Sequence, residues 1–191
     1  ENYQSEFESY SSKGDLSFSG TLKGISNQKK SPVFVAKFQV SNGLLADKKT
    51  GLKIEKIDLQ GNFNSDGFLE LSKINGRVRN SNFSGKFKME GFNYPNVSAT
   101  IAGEFDLKDI KDLLRLDTLS HLSGKMNIDA SYAGKISDIS NITKRDIQLA
   151  KISGELQFEN VGFRVNHTIQ EYKNFSSVLT LHNNDMLIKG C

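Results

Sequence analysis

The sequence predicts a mainly β protein, in which many short strands form an antiparallel meander and one short helix lies near residues 106–119. We expect the strands to build a curled, groove-like sheet or an open sandwich. Apolar and polar residues alternate with period two along most of the chain, and clusters of Gly, Asn, Ser and Asp separate the alternating stretches. In one stretch the apolar spacing changes to that of a helix.

Alternation is clearest in three stretches, where every second residue is apolar or glycine: Phe34, Ala36, Phe38 and Val40; Ile57, Leu59, Gly61 and Phe63; and Phe83, Gly85, Phe87 and Met89. Polar turn formers at residues 41–43, 64–67, 80–82 and 183–185 predict the turns between strands. Because short turns join strands that run in opposite directions, the predicted sheet is an antiparallel meander.

A helix is predicted to begin after Asp106, whose side chain can act as the N-cap, and to end between Leu116 and Leu119. Four residues are spaced to form one face of it: Leu107, Ile110, Leu113 and Leu114. Residues 137–149 mix polar residues with isolated isoleucines and fit neither the strand nor the helix pattern. We therefore predict a long loop there.

Charge and cysteine content exclude several classes of function. The chain has 25 Lys and Arg against 22 Asp and Glu, and this net charge of +3 gives no reason to expect nucleic-acid binding. The only cysteine is Cys191, so the chain cannot build a disulfide framework or a cysteine metal site. We expect residues 1–191 to be a single β-rich segment of a longer protein.

A five-residue pattern of apolar, any, Gly, polar and apolar residues occurs eight times. Its glycines are Gly20, Gly61, Gly76, Gly85, Gly103, Gly124, Gly134 and Gly154. Because alternate residues of a strand share a face, each glycine lies between two apolar neighbours on the dry side of the sheet. A glycine inside a strand weakens it, so its presence indicates a bulge, a bend or a close approach of another group.

Two interpretations of these glycines stay open. In the first, aromatic side chains fill the space beside each glycine. In the second, the sheet curls around an apolar ligand, and the glycines leave room for an acyl chain. For the second, the predicted lining residues are Phe18, Leu22, Leu59, Phe63, Phe83, Phe87, Ile101 and Phe105.

Two parts of the chain share a pattern. A shift of 118 residues places residues 37–71 on residues 155–189, so that apolar positions coincide. Phe38 falls on Leu156, and Asn42 falls on Asn160. This similarity predicts an internal repeat of strands.

Several passages resemble one protein family. Residues 105–119, followed by residues 122–129, are similar to the helix-then-strand passage in the C-terminal part of AsmA-like proteins. Asn42, residues 64–67 and residues 83–87 resemble the repeated strands of the same family. The resemblance covers the chain from about Lys13 to its end.

AsmA-like proteins are large envelope proteins of Gram-negative bacteria, with a β-rich periplasmic body. The resemblance therefore implies a periplasmic segment of a protein anchored in the inner membrane by an N-terminal helix outside these 191 residues. It also implies an apolar groove that contributes to outer-membrane biogenesis by binding and transporting phospholipid or other acyl chains. It supplies no catalytic residue.

No motif indicates an enzyme. None of the three histidines has a second histidine and a carboxylate at the spacing of a metal site. The sequence also contains no phosphate-binding glycine loop, no G-x-S-x-G motif and no calcium-binding loop. We predict no catalytic activity, no metal and no cofactor. Two other functions stay open: an extracellular β-sandwich adhesin or glycan-binding module, and a spacer without a ligand. For the module, the predicted contact residues are Tyr10, Tyr94, Tyr132 and Tyr172.

Overall fold

The computed structural model describes residues 9–26, 31–48, 51–111, 118–138, 142–183 and 185–190. In this part of the chain ten strands form one antiparallel sheet, in which the spatial order is the order along the chain. They are β1 (Tyr10–Lys23), β2 (Val33–Asp47), β3 (Lys53–Asn64), β4 (Phe68–Val78), β5 (Ser81–Glu90), β6 (Asn96–Asp106), β7 (Leu119–Lys135), β8 (Lys151–Val165), β9 (Glu171–His182) and β10 (Asp185–Lys189). The predicted class, a mainly β antiparallel meander, is confirmed.

The sheet is a single layer. Every extensive contact between strands joins neighbours in the sheet, so β1 and β10 are its two edges. Within the described ranges no second sheet packs on the first. Of the two predicted arrangements, the open sandwich is therefore not found.

The strands are longer than the sequence pattern predicts, because bulges continue them where turns were expected. β2 has 15 residues and runs through residues 41–43, so the predicted turn there is wrong. Asn42 instead has a φ of 51°, and the pairing of β2 with β3 shifts beside it. Asn-Gly suits a bulge as well as a turn, because both need a residue that tolerates positive φ.

The predicted turn at residues 64–67 is confirmed. It joins β3 to β4, and the backbone N–H of Asp66 donates to Asn64 Oδ1 at 2.9 Å. Two further hydrogen bonds connect this turn to the start of β2: Ser65 N–H donates to the Phe34 carbonyl, and Phe34 N–H donates to Ser65 Oγ, both at 2.9 Å. The turn therefore also fixes the end of a neighbouring strand.

The first helix, α1 (Leu107–Ile110), begins where the sequence predicts. Asp106 is its N-cap, and its carboxylate accepts from the Lys108 N–H at 3.2 Å. Residues 112–117, where the predicted helix would continue, lie outside the described residues. Leu107 is buried and belongs to the main apolar cluster of the sheet, so the helix contributes a side chain to that cluster.

A second helix, α2 (Lys144–Leu149), lies where a loop was predicted, so that prediction is wrong. The helix depends on a capping box: Thr143 Oγ1 accepts from the Asp146 N–H at 3.2 Å, and Asp146 Oδ2 accepts from the Thr143 N–H at 2.8 Å. Asp146 also accepts two hydrogen bonds from Ser137, from its N–H at 3.0 Å and its hydroxyl at 2.6 Å. These polar contacts stabilise the helix. They need no regular spacing of apolar residues, so the sequence of this segment lacks the helical pattern.

Replacing Asp146 by asparagine is expected to lower the midpoint of thermal unfolding by a few degrees near pH 7. Hydrogen bonds from Ser137 and Thr143 favour the charged carboxylate and lower the pKa of Asp146 from its ordinary value of 3.8. A group with a lowered folded-state pKa stabilises the fold above its ordinary pKa and loses that contribution as the pH falls below it. The difference between wild type and variant should therefore narrow below about pH 4.

Circular dichroism melts across this pH range measure the effect. Asp129→Asn is the control, because Asp129 is exposed on the sheet and should change the melting midpoint little. A difference that stays constant down to the lowest pH would contradict the assigned role of the Asp146 carboxylate.

Strands β2 and β3 have the same geometry as β8 and β9, 118 residues later in the chain. Val33–Asp47 corresponds to Lys151–Val165, and Lys53–Asn64 to Glu171–His182. The bulge residues also match, since Asn42 has a φ of 51° and Asn160 a φ of 50°.

Hydrogen bonding and register follow the same correspondence. The Asn42 N–H donates to Asp58 Oδ1 at 3.2 Å, and the Asn160 N–H donates to Ser176 Oγ at 3.1 Å. On the preceding strand, Gly14 of β1 and Gly124 of β7 have positive φ and each approaches the backbone of the bulge. The three-stranded unit β1–β3 therefore recurs as β7–β9.

Candidate functional site

One face of the sheet is apolar on all ten strands. Residues directly opposite each other in an antiparallel pair point to the same face, so the register assigns every side chain to a face. We call this side the apolar face. Its side chains are Leu16, Phe18 and Leu22 on β1; Phe34, Ala36, Phe38 and Val40 on β2; Leu59 and Phe63 on β3; Leu69, Leu71 and Ile74 on β4; Phe83, Phe87 and Met89 on β5; Val97, Ala99, Ile101 and Phe105 on β6; Met126, Ile128, Ala130 and Tyr132 on β7; Ile152, Leu156 and Phe158 on β8; Leu179 and Leu181 on β9; and Met186 and Ile188 on β10.

All eight residues predicted to line a groove lie on the apolar face, on strands β1, β3, β5 and β6. Their exposure differs widely. Leu22 is 68% exposed and Ile101 39%, whereas Phe105 is only 6% exposed. The apolar residues of β2, β4 and β7 to β10 are absent from the predicted set, although the same period-two alternation on these strands indicates them.

Two clusters of buried side chains stabilise this face. The larger contains Phe105, Leu107, Met126 and Val161, and partly buried residues from β5, β7, β8 and β9 pack against it. The smaller contains Met89, Val97 and Ile136. The buried residues of both clusters lie after β4, and the most exposed apolar side chains of this face lie on the two edge strands, β1 and β10.

Four phenylalanine rings form a row over the first three strands. The ring centroids of Phe18 and Phe34 are 6.0 Å apart, those of Phe34 and Phe63 6.3 Å, and those of Phe63 and Phe92 6.0 Å. Phe92 comes from the connection between β5 and β6. Such offset aromatic contacts stabilise a sheet beyond their buried area.

Phenylalanine rings cover several of the motif glycines. A Cβ atom on Gly20 would lie 2.7 Å from the ring of Phe34, and one on Gly61 would lie 2.5 Å from the ring of Phe38. The ring of Phe83 covers Gly76 in the same way. The space beside these glycines is thus filled by aromatic rings of neighbouring strands, and a ligand on this face would lie on the rings.

Other motif glycines allow two backbones to approach closely. A Cβ on Gly85 would lie 2.5 Å from the Thr100 carbonyl oxygen, and one on Gly103 would lie 2.7 Å from the Asn82 carbonyl oxygen. A Cβ on Gly154 would overlap the Asp129 carbonyl oxygen. Gly134 lies against Ala150, at the end of α2, and Gly124 forms the bulge of β7. These glycines therefore serve the geometry of the sheet itself.

The opposite face of the sheet is mostly polar. A shallow hollow of about 420 Å³ on it is lined by side chains that include Ser17, Lys37, Gln39, Gln60 and Asn62. On the apolar face the hydroxyl of Tyr132 has no hydrogen-bond partner among the described residues. Burial, followed by the nearby Asp146 carboxylate, raises the pKa of Tyr132 above its ordinary value of 10.0, so this hydroxyl stays neutral at physiological pH.

In the part of the chain that the structure describes, no group of three or more His, Cys, Asp or Glu side chains is close enough together to bind a metal ion. None of the described helices has the length and apolar character needed to cross a membrane.

The four tyrosines predicted for a glycan-binding surface lie apart. Tyr10 begins β1 and Tyr172 lies on β9, eight strands away. Tyr94 lies in the connection between β5 and β6, and Tyr132 is on the apolar face of β7. Tyr172 stacks on Phe163 with centroids 4.7 Å apart, so its ring already has an aromatic partner.

Comparisons of this chain with protein-family models, with curated proteins and with solved structures find no match.

Proposed function

We propose that the apolar face binds acyl chains, and that this protein is a non-enzymatic lipid-binding and lipid-conducting segment. The observation that carries the proposal is the continuity of the apolar face over ten strands of a single-layer sheet. A sheet with one apolar face ordinarily packs that face against another layer. In the described part of the chain no such layer is present, which leaves the face available to an apolar ligand.

Exposure of individual side chains supports this use. Phe18, Leu22 and Ile101 are 58%, 68% and 39% exposed although they point to the dry side of their strands. Each methylene group removed from water stabilises a complex by about 0.8 kcal/mol. Contact with several such side chains is thus enough to hold an acyl chain without recognition of a head group.

The dimensions of the sheet suit a conduit with repeated weak sites. Ten strands spaced about 4.8 Å apart make a sheet roughly 43 Å wide. Apolar side chains occur on every strand, so an acyl chain can move from one strand to the next and exchange one set of apolar contacts for a similar set. The unit β1–β3 and its counterpart β7–β9 offer two matching stretches of this surface.

The resemblance to AsmA-like proteins supports a cellular setting for the proposal. In that setting the segment lies in the periplasm of a Gram-negative bacterium, within a protein anchored in the inner membrane. Phospholipid is then the natural source of the acyl chains, and outer-membrane biogenesis the process served.

Acyl-chain binding is tested with the purified protein and a fluorescent fatty acid. We expect organic extracts to contain lipid by mass spectrometry, and the fatty acid to bind. The triple variant Phe18→Ser, Leu22→Ser and Ile101→Ser should bind about tenfold more weakly, because it loses about 1.5 kcal/mol of apolar contact while its exposed positions leave the fold intact.

The control changes three apolar residues that are more exposed and lie outside the strands of the sheet: Ile25, Leu149 and Ile169, each replaced by serine. These are 81%, 72% and 99% exposed. Binding by the control variant should equal that of the wild type. An extract without lipid, together with no binding of the fatty acid, would leave the spacer as the better interpretation.

A further inference from the structure

Strand β1 has a long edge without a partner in the described part of the chain. It contains 14 residues, all of them exposed, and it pairs only with β2. Leu16, Phe18 and Leu22 on its apolar face are 68%, 58% and 68% exposed. A long exposed strand edge is a template for pairing with another strand.

Strand β7 shows which partner a strand of this kind takes. It corresponds to β1 in the recurring three-stranded unit, and the bulge at Gly124 matches the bulge at Gly14 in its register against the next strand. On its other edge β7 pairs with all of β6, Asn96–Asp106, in antiparallel orientation. The outer edge of β1 corresponds to this edge, so it has the geometry to accept an antiparallel strand.

We propose that the outer edge of β1 pairs in antiparallel orientation with β1 of a second copy of this chain, with Ser19 opposite Ser19 of the second copy. In this register Asp15 lies opposite Lys23 of the second copy. The twofold symmetry forms this pair twice, once on each side of the axis. Opposite charges across a strand pair stabilise it, so the edge is complementary to itself.

The apolar residues match in the same register. Leu16 lies opposite Leu22 of the second copy, and Phe18 lies opposite Gly20. The described sheet already uses this second kind of pair, because Phe38 lies opposite Gly61 and Phe83 opposite Gly76 and Gly103. Two copies of β1 would therefore repeat a residue pairing, phenylalanine opposite glycine, that occurs three times within one chain.

Neighbouring registers lack this complementarity. Only steps of two residues keep apolar side chains on one face, so the alternatives are few. The register that places Phe18 opposite Phe18 of the second copy also places Lys13 opposite Lys23, which is a pair of like charges. The step in the other direction places Gly20 opposite Gly20 and Asp15 opposite Ile25, which removes the charge pairs.

Pairing in this way closes the assembly at two copies, because each chain has one β1 edge. Paired residues of antiparallel strands share a face, so the apolar faces of the two copies lie on the same side of a joint sheet. The proposal does not depend on acyl-chain binding, since the edge is defined by its backbone and by charges on the polar face.

Sedimentation equilibrium of the Cys191→Ser protein, which lacks the only thiol of the chain, tests the dimer. We expect a monomer–dimer equilibrium at micromolar concentrations. Asp15→Lys should weaken dimerisation by about tenfold, because it places two lysine pairs across the interface. Adding Lys23→Asp to this variant should restore the wild-type dissociation constant.

The control Asp129→Lys makes the same charge change on the polar face of β7 and should leave dimerisation unchanged. A monomer at every concentration, or a double variant that stays as weak as Asp15→Lys, would overturn the proposal. The charge variants leave the apolar face intact, so fatty-acid binding is expected to persist in all of them. Failure of the dimer and failure of acyl-chain binding are thus separate results.

Crosslinking tests the register. In the Cys191→Ser background, Ser19→Cys should form a disulfide-linked dimer on oxidation, because residue 19 meets its own counterpart. Ser17→Cys has the same environment on the polar face but lies opposite Thr21 of the second copy, so it should stay uncrosslinked. Efficient crosslinking through Ser17→Cys in place of Ser19→Cys would refute this register.

Discussion

Replacing Phe105 by alanine is expected to lower the free energy of unfolding by about 3–5 kcal/mol. Phe105 is 6% exposed and belongs to the larger apolar cluster together with Leu107, Met126 and Val161. Its ring also stacks on that of Phe83, with centroids 6.5 Å apart. Removal of the ring leaves a cavity between strands and helix α1, and a single-layer sheet has no second layer that could move to fill it.

Urea denaturation followed by circular dichroism measures this loss. Phe18→Ala is the matched control, because Phe18 points to the same face but is 58% exposed. It should cost no more than about 1 kcal/mol. Equal losses for the two variants would mean that the cluster around Phe105 contributes no more to stability than the exposed part of the apolar face.

Replacing Gly154 by alanine is expected to lower the free energy of unfolding by at least about 3 kcal/mol. Gly154 has a φ of 145°, which L residues rarely adopt. Its added Cβ would overlap the Asp129 carbonyl oxygen and lie 2.5 Å from the Cα of Ala130. Because both atoms belong to the backbone of β7, two central strands would have to separate to make room.

Gly51→Ala separates these two causes. Gly51 also has a positive φ, of 72°, but a Cβ there would have no atom within 4 Å. Its replacement carries the conformational cost without the overlap, and should cost about 1 kcal/mol. A loss at Gly154 no greater than that at Gly51 would show that β7 and β8 are not held as closely as described.

Alternation predicted the fold class and the shared face of the groove residues because both depend on local pattern. In an antiparallel meander the face of one strand fixes the face of the next through the register. Phe18, Phe63 and Ile101 therefore lie on one side of the sheet, as their spacing indicated. The strands between them could have been added by the same argument.

Other features could not be predicted, because they depend on contacts between residues distant in the chain. Asn42 was assigned to a turn, but its strand continues past a bulge whose N–H is bonded to Asp58. Helix α2 escaped prediction because Thr143 and Asp146 hold it through polar contacts. The ring that covers Gly61 comes from Phe38, and that pairing is defined only once the register of β2 and β3 is known.

Since every extensive contact between strands joins neighbours in the sheet, the energetics of this chain are close to one-dimensional. Total stability approximates a sum over individual strands and the boundaries between adjacent strands, as in solenoid proteins. Strands at the edges of the sheet can then unfold and refold while the central strands stay folded, so the free energy of local unfolding increases from the edge strands to the central ones. In a single chain the outermost strand β1, whose apolar residues are among the most exposed of this face, is thus also among the parts that cost least free energy to rearrange around an acyl chain.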